Sequence, residues 1–182
     1  MSVRGLIVPL IPAIMGGVRC KYFPAEKLAS LLENGYGFDG SSCGFCHVED
    51  SDLLAKPDPG TKVEIDGYTL FICDVYKAGE RFDLDTRFAL QRALERVAEA
   101  GFGVVSGTEV EFYVLKSANS PDVMDPLRYM EPLHTHDVLS LIPGLAAVVH
   151  DAVGIEFVHH EVGPGQFELT LERDTPMGLA DR

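Results

Sequence analysis

His159-His160-Glu161-Val162-Gly163-Pro164-Gly165-Gln166-Phe167-Glu168 joins two apolar runs, Ile155 to Val158 and Gln166 to Leu171. Both runs carry the β-branched and aromatic residues that suit strands. Gly163-Pro164-Gly165 interrupts them, because neither glycine nor proline sustains a regular ladder. Glu161 and Glu168 are seven positions apart. In one regular strand that odd separation would put them on opposite faces. The Gly-Pro-Gly break allows a loop or bulge to bring both to one side. An ordinary turn beside surface charges is the competing interpretation. His159 and His160 either join the carboxylates or pack, since a neutral imidazole suits both roles.

Upstream lies a second acidic segment, Thr108-Glu109-Val110-Glu111-Phe112, inside a strand expected over Val104 to Leu115. Side chains alternate along a strand, so Glu109 and Glu111 share one face while Val110 and Phe112 take the other. Two carboxylates on one face repel unless solvent or a bound cation neutralises them. Hard oxygen ligands suit Mg²⁺ or Mn²⁺, and two such ions grip phosphate oxygens in phosphoryl transfer. Taken with Glu161 and Glu168, this pattern reads as a candidate divalent-metal site on a sheet.

Moving outward, Asp137 to Ala152 has helical character, with Pro143 comfortable in a first turn. Pro121 to His136 is irregular. Leu90, Ala93, Leu94 and Val97 form an apolar stripe at helical spacing, with Asp85 or Thr86 as cap and Gly101 as stop. Lys77 to Asp85 reads as a linker, which places a domain boundary near residue 84. Before it, Tyr68 to Val75 is a strand and Phe38 to Thr61 a long Gly-, Ser-, Asp- and Pro-rich loop of the kind that often serves function. Glu26 to Leu32 is a short helix stopped at Gly35. Leu6 to Met15 is apolar but holds ten residues and two prolines. It is too short to span a bilayer and suits a buried strand.

The chain has 182 residues, 46% apolar and 24% charged, with a net charge of −13. This is globular composition with enough length for a core. The acidic balance argues against nucleic acid or an anionic membrane as partner, since both require basic patches. Cys43 and Cys46 have CxxC spacing, but Cys20 and Cys73 stand alone, so no second pair completes a zinc site. Free thiols in a reducing cytoplasm are expected.

Several of these segments resemble the glutamine synthetase family. Phe38-Asp39-Gly40-Ser41-Ser42 is similar to its FDGSS segment. Glu49-Asp50-Ser51-Asp52-Leu53 and Lys56-Pro57-Asp58-Pro59 follow it at suitable distance and resemble the family's ESD and PDP stretches. Glu109-Val110-Glu111-Phe112 resembles its E-x-E-F strand, and His159 to Glu168 its HHE…GQ…E segment. The matches run in family order from about Val18 to Arg182.

The resemblance implies an α+β chain. Residues 1–84 would form a small β-grasp domain, and residues 85–182 the opening of an α/β catalytic domain. It implies ATP-dependent joining of ammonium to the γ-carboxylate of glutamate through γ-glutamyl phosphate, with Mg²⁺ or Mn²⁺ as cofactor. Glu111, Glu161 and Glu168 would hold one metal ion and Glu109 a second, while Glu156 would contact ATP. Asp39 and Ser42 would reach a neighbouring subunit's site in a homo-oligomeric ring, Asp39 binding and deprotonating ammonium. Phosphoryl transfer is chiefly positioning and charge neutralisation, which clustered carboxylates with cations supply. Family chains are more than twice as long. The resemblance therefore implies an incomplete site, lacking the later nucleotide-, glutamate- and phosphate-binding residues. It also implies an exposed apolar face and poor solubility for these residues in isolation. Gly163 to Glu168 equally resembles the γ-glutamyl-amine ligases of the superfamily. A non-catalytic fragment that docks on a full-length synthetase is a third possibility.

Overall fold

The computed structural model describes residues 5–132 and 136–182. By its internal contacts the chain divides into two compact units. The first comprises Met1–Val104 with Pro176–Asp181, the second Val105–Thr175 with Arg182.

The first unit is a mixed sheet holding a helix. Its strands are β1 (Leu6–Pro12), β2 (Val18–Cys20), β3 (Phe23–Pro24), β4 (Tyr36–Asp39), β5 (Asp52–Pro57), β6 (Val63–Ile65), β7 (Tyr68–Lys77) and β8 (Glu80–Arg81). The main order is β2-β1-β7-β5-β4, with β3 on β1 and both β6 and β8 on β7. The apolar N-terminal run forms β1, which pairs in parallel with β7 and buries Ile7, Val8 and Ile11. The remaining pairs are antiparallel. Helix α1 (Leu28–Asn34) packs on β5 and ends at Gly35, whose φ of 67° suits a residue without Cβ. Between them Leu31, Tyr36, Phe45, Leu53, Phe71, Cys73 and Val75 close the core. Burial pushes the Cys73 thiol up to about 12. The four cysteines are free thiols.

Three expectations need adjustment here. Phe38 to Thr61 is not one long loop. It contains β5, whose Leu53 and Ala55 face the core and whose run is masked in sequence by Pro57-Asp58-Pro59. Lys77 to Asp85 is not a simple linker, because Ala78 and Gly79 turn the chain from β7 into β8. The first helical stretch opens with a 3₁₀ turn at Ala25–Lys27 before α1 begins.

Helix α2 (Thr86–Glu99) starts on Asp85, whose Oδ1 accepts from the Arg87 amide at 3.0 Å. The same fully buried carboxylate accepts from the Val75 amide at 3.0 Å and from Arg81 at 3.2 Å. This cap therefore also ties the helix to β7. Arg87 meets Asp58 at 2.6 Å, Asp74 at 2.5 Å and Asp181 at 2.7 Å. Asp181 follows the short helix α4 (Pro176–Ala180). The apolar stripe of α2 is not buried by the described residues; Leu90, Leu94 and Val97 are half-exposed and Ala93 is exposed.

The second unit contains β9 (Glu109–Tyr113), α3 (His136–Val153), β10 (Ile155–His160) and β11 (Gln166–Leu171). The sheet is antiparallel in the order β10-β11-β9. Strand β9 is shorter than the expected Val104 to Leu115. Helix α3 runs from His136 through Pro143 without a break, rather than starting in earnest at the proline. Ile142 and Phe167 form the buried centre, with Phe112, Val114, Met124 and Val158 against them. Among the described residues, no helix is long and apolar enough to cross a membrane.

Candidate metal centre

The central strand β11 aligns the acidic segments. Glu168 lies opposite His159 on β10 and opposite Glu111 on β9, and Thr170 lies opposite Glu109. Cross-strand partners share a face. Glu109, Glu111, His159 and Glu168 therefore occupy one side of the sheet, while Val110, Phe112, His160 and Phe167 occupy the other. The alternation expected of Glu109 and Glu111 is present.

Glu161 joins this face through the hairpin. Its amide donates to the Gln166 carbonyl at 2.8 Å, and the Gln166 amide donates to the Gly163 carbonyl at 3.0 Å. Glu161 thus sits opposite Gln166, two residues before Glu168. The glycines are required by close approach. A Cβ on Gly163 would lie 2.3 Å from the Tyr113 hydroxyl, and one on Gly165, at φ +68°, would lie 2.6 Å from the Asp125 carbonyl.

His159, Glu161 and Glu168 each offer a ligand atom, and these atoms all lie within 4.8 Å of one another. The His159 Nε2 and a Glu161 carboxylate oxygen are 3.1 Å apart. The other Glu161 oxygen accepts from the Val162 amide at 2.9 Å. Glu168 is buried, and one of its oxygens accepts from the Thr170 hydroxyl at 2.6 Å. The His159 Nδ1 is buried with no hydrogen-bond partner among the described residues. Two carboxylates and one imidazole, whose Nδ1 lacks a partner among the described residues, fit a divalent cation. Glu109 lines the same cavity, about 640 Å³, with Tyr129, Met130 and Phe157.

The remaining candidates fall elsewhere. Glu111 is not in the close group; its carboxylate accepts from the Gln166 side-chain amide at 2.6 Å, and Tyr113 donates to Gln166 Oε1 at 3.2 Å. Glu156 is exposed, at the point where the β10–β11 register shifts by one residue. His160 is buried against Phe167, with ring centroids 4.4 Å apart. Tyr129 stands edge-on to His159 at 5.7 Å. It lay in a stretch whose irregular sequence gave no periodic signal.

Asp39 and Ser42 lie in the first unit. One Asp39 oxygen accepts from the Ser41 amide at 2.9 Å and the Ser41 hydroxyl at 2.7 Å; the other accepts from the Ser42 hydroxyl at 2.8 Å. These bonds, the Ser41 hydroxyl foremost, hold the exposed Asp39 carboxyl far below the usual carboxylate range. It is an anion at any physiological pH. The Cys43-Cys46 pair contributes no metal group among the described residues.

Comparison with known proteins places this chain in a family. The glutamine synthetase β-grasp domain matches residues 14–78, and the glutamine synthetase catalytic domain matches residues 83–182. A glutamine synthetase of Pyrococcus abyssi is 37% identical over 165 residues, covering 87% of this chain and 37% of that protein. One from Mycolicibacterium smegmatis is 32% identical over 184 residues, covering 92% of this chain and 41% of that protein. A solved GmaS/ADP complex superposes with a TM-score of 0.83 at 25% identity, over 98% of this chain and 44% of that chain. Plasmodium falciparum glutamine synthetase shares the fold, with a TM-score of 0.77 at 22% identity over 98% of this chain and 43% of that chain. The chain thus spans less than half the length of these relatives. Its β-grasp sheet, its acidic three-stranded sheet and both family matches lead to one assignment: the chain belongs to the glutamine synthetase family.

Proposed function

We propose that these residues form the front part of an ATP-dependent ligase that joins ammonium to the γ-carboxylate of glutamate. Residues 1–84 would be its β-grasp part and residues 85–182 the opening of its catalytic part. The observation that carries this reading is the group of ligand atoms from His159, Glu161 and Glu168 within 4.8 Å of one another. Mg²⁺ or Mn²⁺ bound there would neutralise phosphate oxygens while the γ-carboxylate attacks the terminal phosphorus of ATP and ADP leaves. Ammonia would then displace phosphate from γ-glutamyl phosphate.

The chain's own residues serve this in distinct ways. Glu161 and Glu168 supply carboxylate oxygens and His159 a ring nitrogen. Glu109 extends the acidic wall. Glu111, directly opposite Glu168, adds charge to the same face and is oriented by Gln166. Glu156 is assigned to ATP by its place in the family motif. Asp39, an anion braced by two serine hydroxyls, suits ammonium electrostatically and as proton acceptor, with Ser42 fixing its second oxygen. In a ring of like subunits Asp39 would serve a neighbour's site. An organic amine is the second reading of the acceptor, motivated by the resemblance of Gly163 to Glu168 to the γ-glutamyl-amine ligases and compatible with the likeness to GmaS.

Calorimetry with Mn²⁺ tests the centre in the chain itself. Glu161→Ala and Glu168→Ala are expected to abolish measurable binding. Gln166→Ala, which frees Glu111, is expected to weaken it about tenfold. Unchanged binding in Glu161→Ala would remove the centre from the proposal.

A further inference from the structure

On the side of the sheet away from the carboxylates, a buried polar pair has no part in the chemistry above. His160 and Asp125 are each 2% exposed. The His160 Nε2 lies 3.3 Å from an Asp125 carboxylate oxygen, and its Nδ1 lies 3.1 Å from the Glu131 carbonyl. A carbonyl only accepts, so Nδ1 is the donor there. The other Asp125 oxygen accepts from the Leu127 amide at 2.8 Å. Burying an imidazole and a carboxylate is unfavourable unless every polar atom finds a partner. Here all four lie within reach of a polar partner, with one proton shared between Nε2 and the Asp125 carboxyl to complete that bond, and both partners outside the pair belong to one segment, Leu127 to Glu131.

That segment is held from the main chain as well. The Met130 amide donates to the His160 carbonyl at 3.0 Å, and the Gly165 amide donates to the Leu127 carbonyl at 2.8 Å. Met130 has a φ of 56°, a left-handed conformation that a residue with a side chain keeps only where its surroundings over-determine it. Next to it, Tyr129 stands edge-on to His159 and lines the acidic cavity. The strap therefore touches both adjacent histidines. The buried one grips it, and the one among the carboxylates carries its ring.

We propose that His160 and Asp125 are positioning residues, which clamp the Asp125–Glu131 strap to β10 and thereby fix Tyr129 as a wall of the acidic cavity. This rests on the reading of that cavity as a cation site. Without the clamp the carboxylates remain, held by the sheet ladder, but the wall beside His159 is lost.

Terbium(III), a hard cation that prefers oxygen ligands, reports on both parts. Tyrosine-sensitised emission from Tb³⁺ depends on how close a tyrosine ring stands to the ion. The difference between the unmutated chain and Tyr129→Phe gives the share due to Tyr129. Asp125→Leu is expected to cut that share at least about threefold while Mn²⁺ affinity stays within about twofold, because the ligands are untouched. Asp125→Asn, which still accepts from Leu127, is expected to retain most of it. A full Tyr129 share in Asp125→Leu overturns the proposal, as does a fall in Mn²⁺ affinity in step with the emission. Should Asp125→Leu fail to fold, hydrogen exchange of the unmutated chain decides. The Leu127 and Met130 amides are expected to exchange at least about tenfold more slowly than in an open loop. Exchange at the open rate overturns the clamp. Absence of any Tb³⁺ emission from the unmutated chain would sink the cation reading instead, and the same exchange rates would still test the clamp.

Discussion

Arg87 shows how much one side chain organises. Its guanidinium spends three nitrogens on Asp58, Asp74 and Asp181, which come from a turn, a strand and the tail. Hydrogen bonds donated to these acids, Asp181 first, raise its pKa despite burial. Burial alone would raise the pKa of Asp58. The Gly60 amide and Arg87 outweigh that and hold it below the ordinary value. A carboxyl lowered in the folded state adds stability that is complete above its ordinary pKa and disappears as pH falls through the folded value. Urea unfolding is therefore expected to show stability falling below about pH 4, with a shallower fall in Asp58→Asn. Arg87→Ala leaves three carboxylates facing one another, and the expected loss is about 3 kcal/mol at neutral pH. No change in the urea midpoint would show that the acids re-solvate freely. The PDP stretch that resembles the family motif thus acquires a local physical role, since Asp58 caps its own 3₁₀ turn at Gly60 and receives Arg87.

At the scale of elements, the β10–β11 hairpin decides whether the carboxylates meet. Gly165→Ala puts a Cβ 2.6 Å from a backbone carbonyl at a positive φ. The expected cost is about 1–3 kcal/mol, and Mn²⁺ affinity should fall along with the thermal midpoint. A lowered midpoint with intact affinity would show that the turn and the centre are independent. The same hairpin shows what was legible beforehand. Alternation along β9 correctly gave one face to Glu109 and Glu111, because a single strand obeys it. The odd separation of Glu161 and Glu168 signalled opposite faces only under the assumption of one continuous strand. Chain reversal makes Glu161 the partner of Gln166, and parity then runs across the ladder, so an odd separation gives a shared face. His159 could not be told from His160 until that register was known. Strand β5 was missed because its apolar run is short and flanked by proline and acidic residues. Its place in the sheet is set by β7 and β4 and not by its own propensity.

At the scale of the whole molecule, both units expose apolar surface. Phe102 is 70% exposed and Val105 74%, while the stripe of α2 has no buried member. The sheet order of the second unit leaves β9 with one neighbour among the described residues. Exposed apolar patches and open strand edges favour association. The isolated chain is expected to self-associate at micromolar concentration in sedimentation velocity. Lysine at Phe102 and Val105 should shift it toward monomer without lowering the thermal midpoint. Monomeric behaviour of the unmutated chain would contradict this.

The first unit is discontinuous: Asp181, which closes the shell around Arg87, lies beyond all of Val105–Thr175. A ribosome makes about 5–20 residues per second. For several seconds the nascent first unit therefore has Arg87 with only two of its three acids, while the acidic hairpin is still being made. Completion of the first unit is tied to synthesis of the second. The first unit acquires this last ion pair of Arg87 only when the residues proposed to hold the cation already exist.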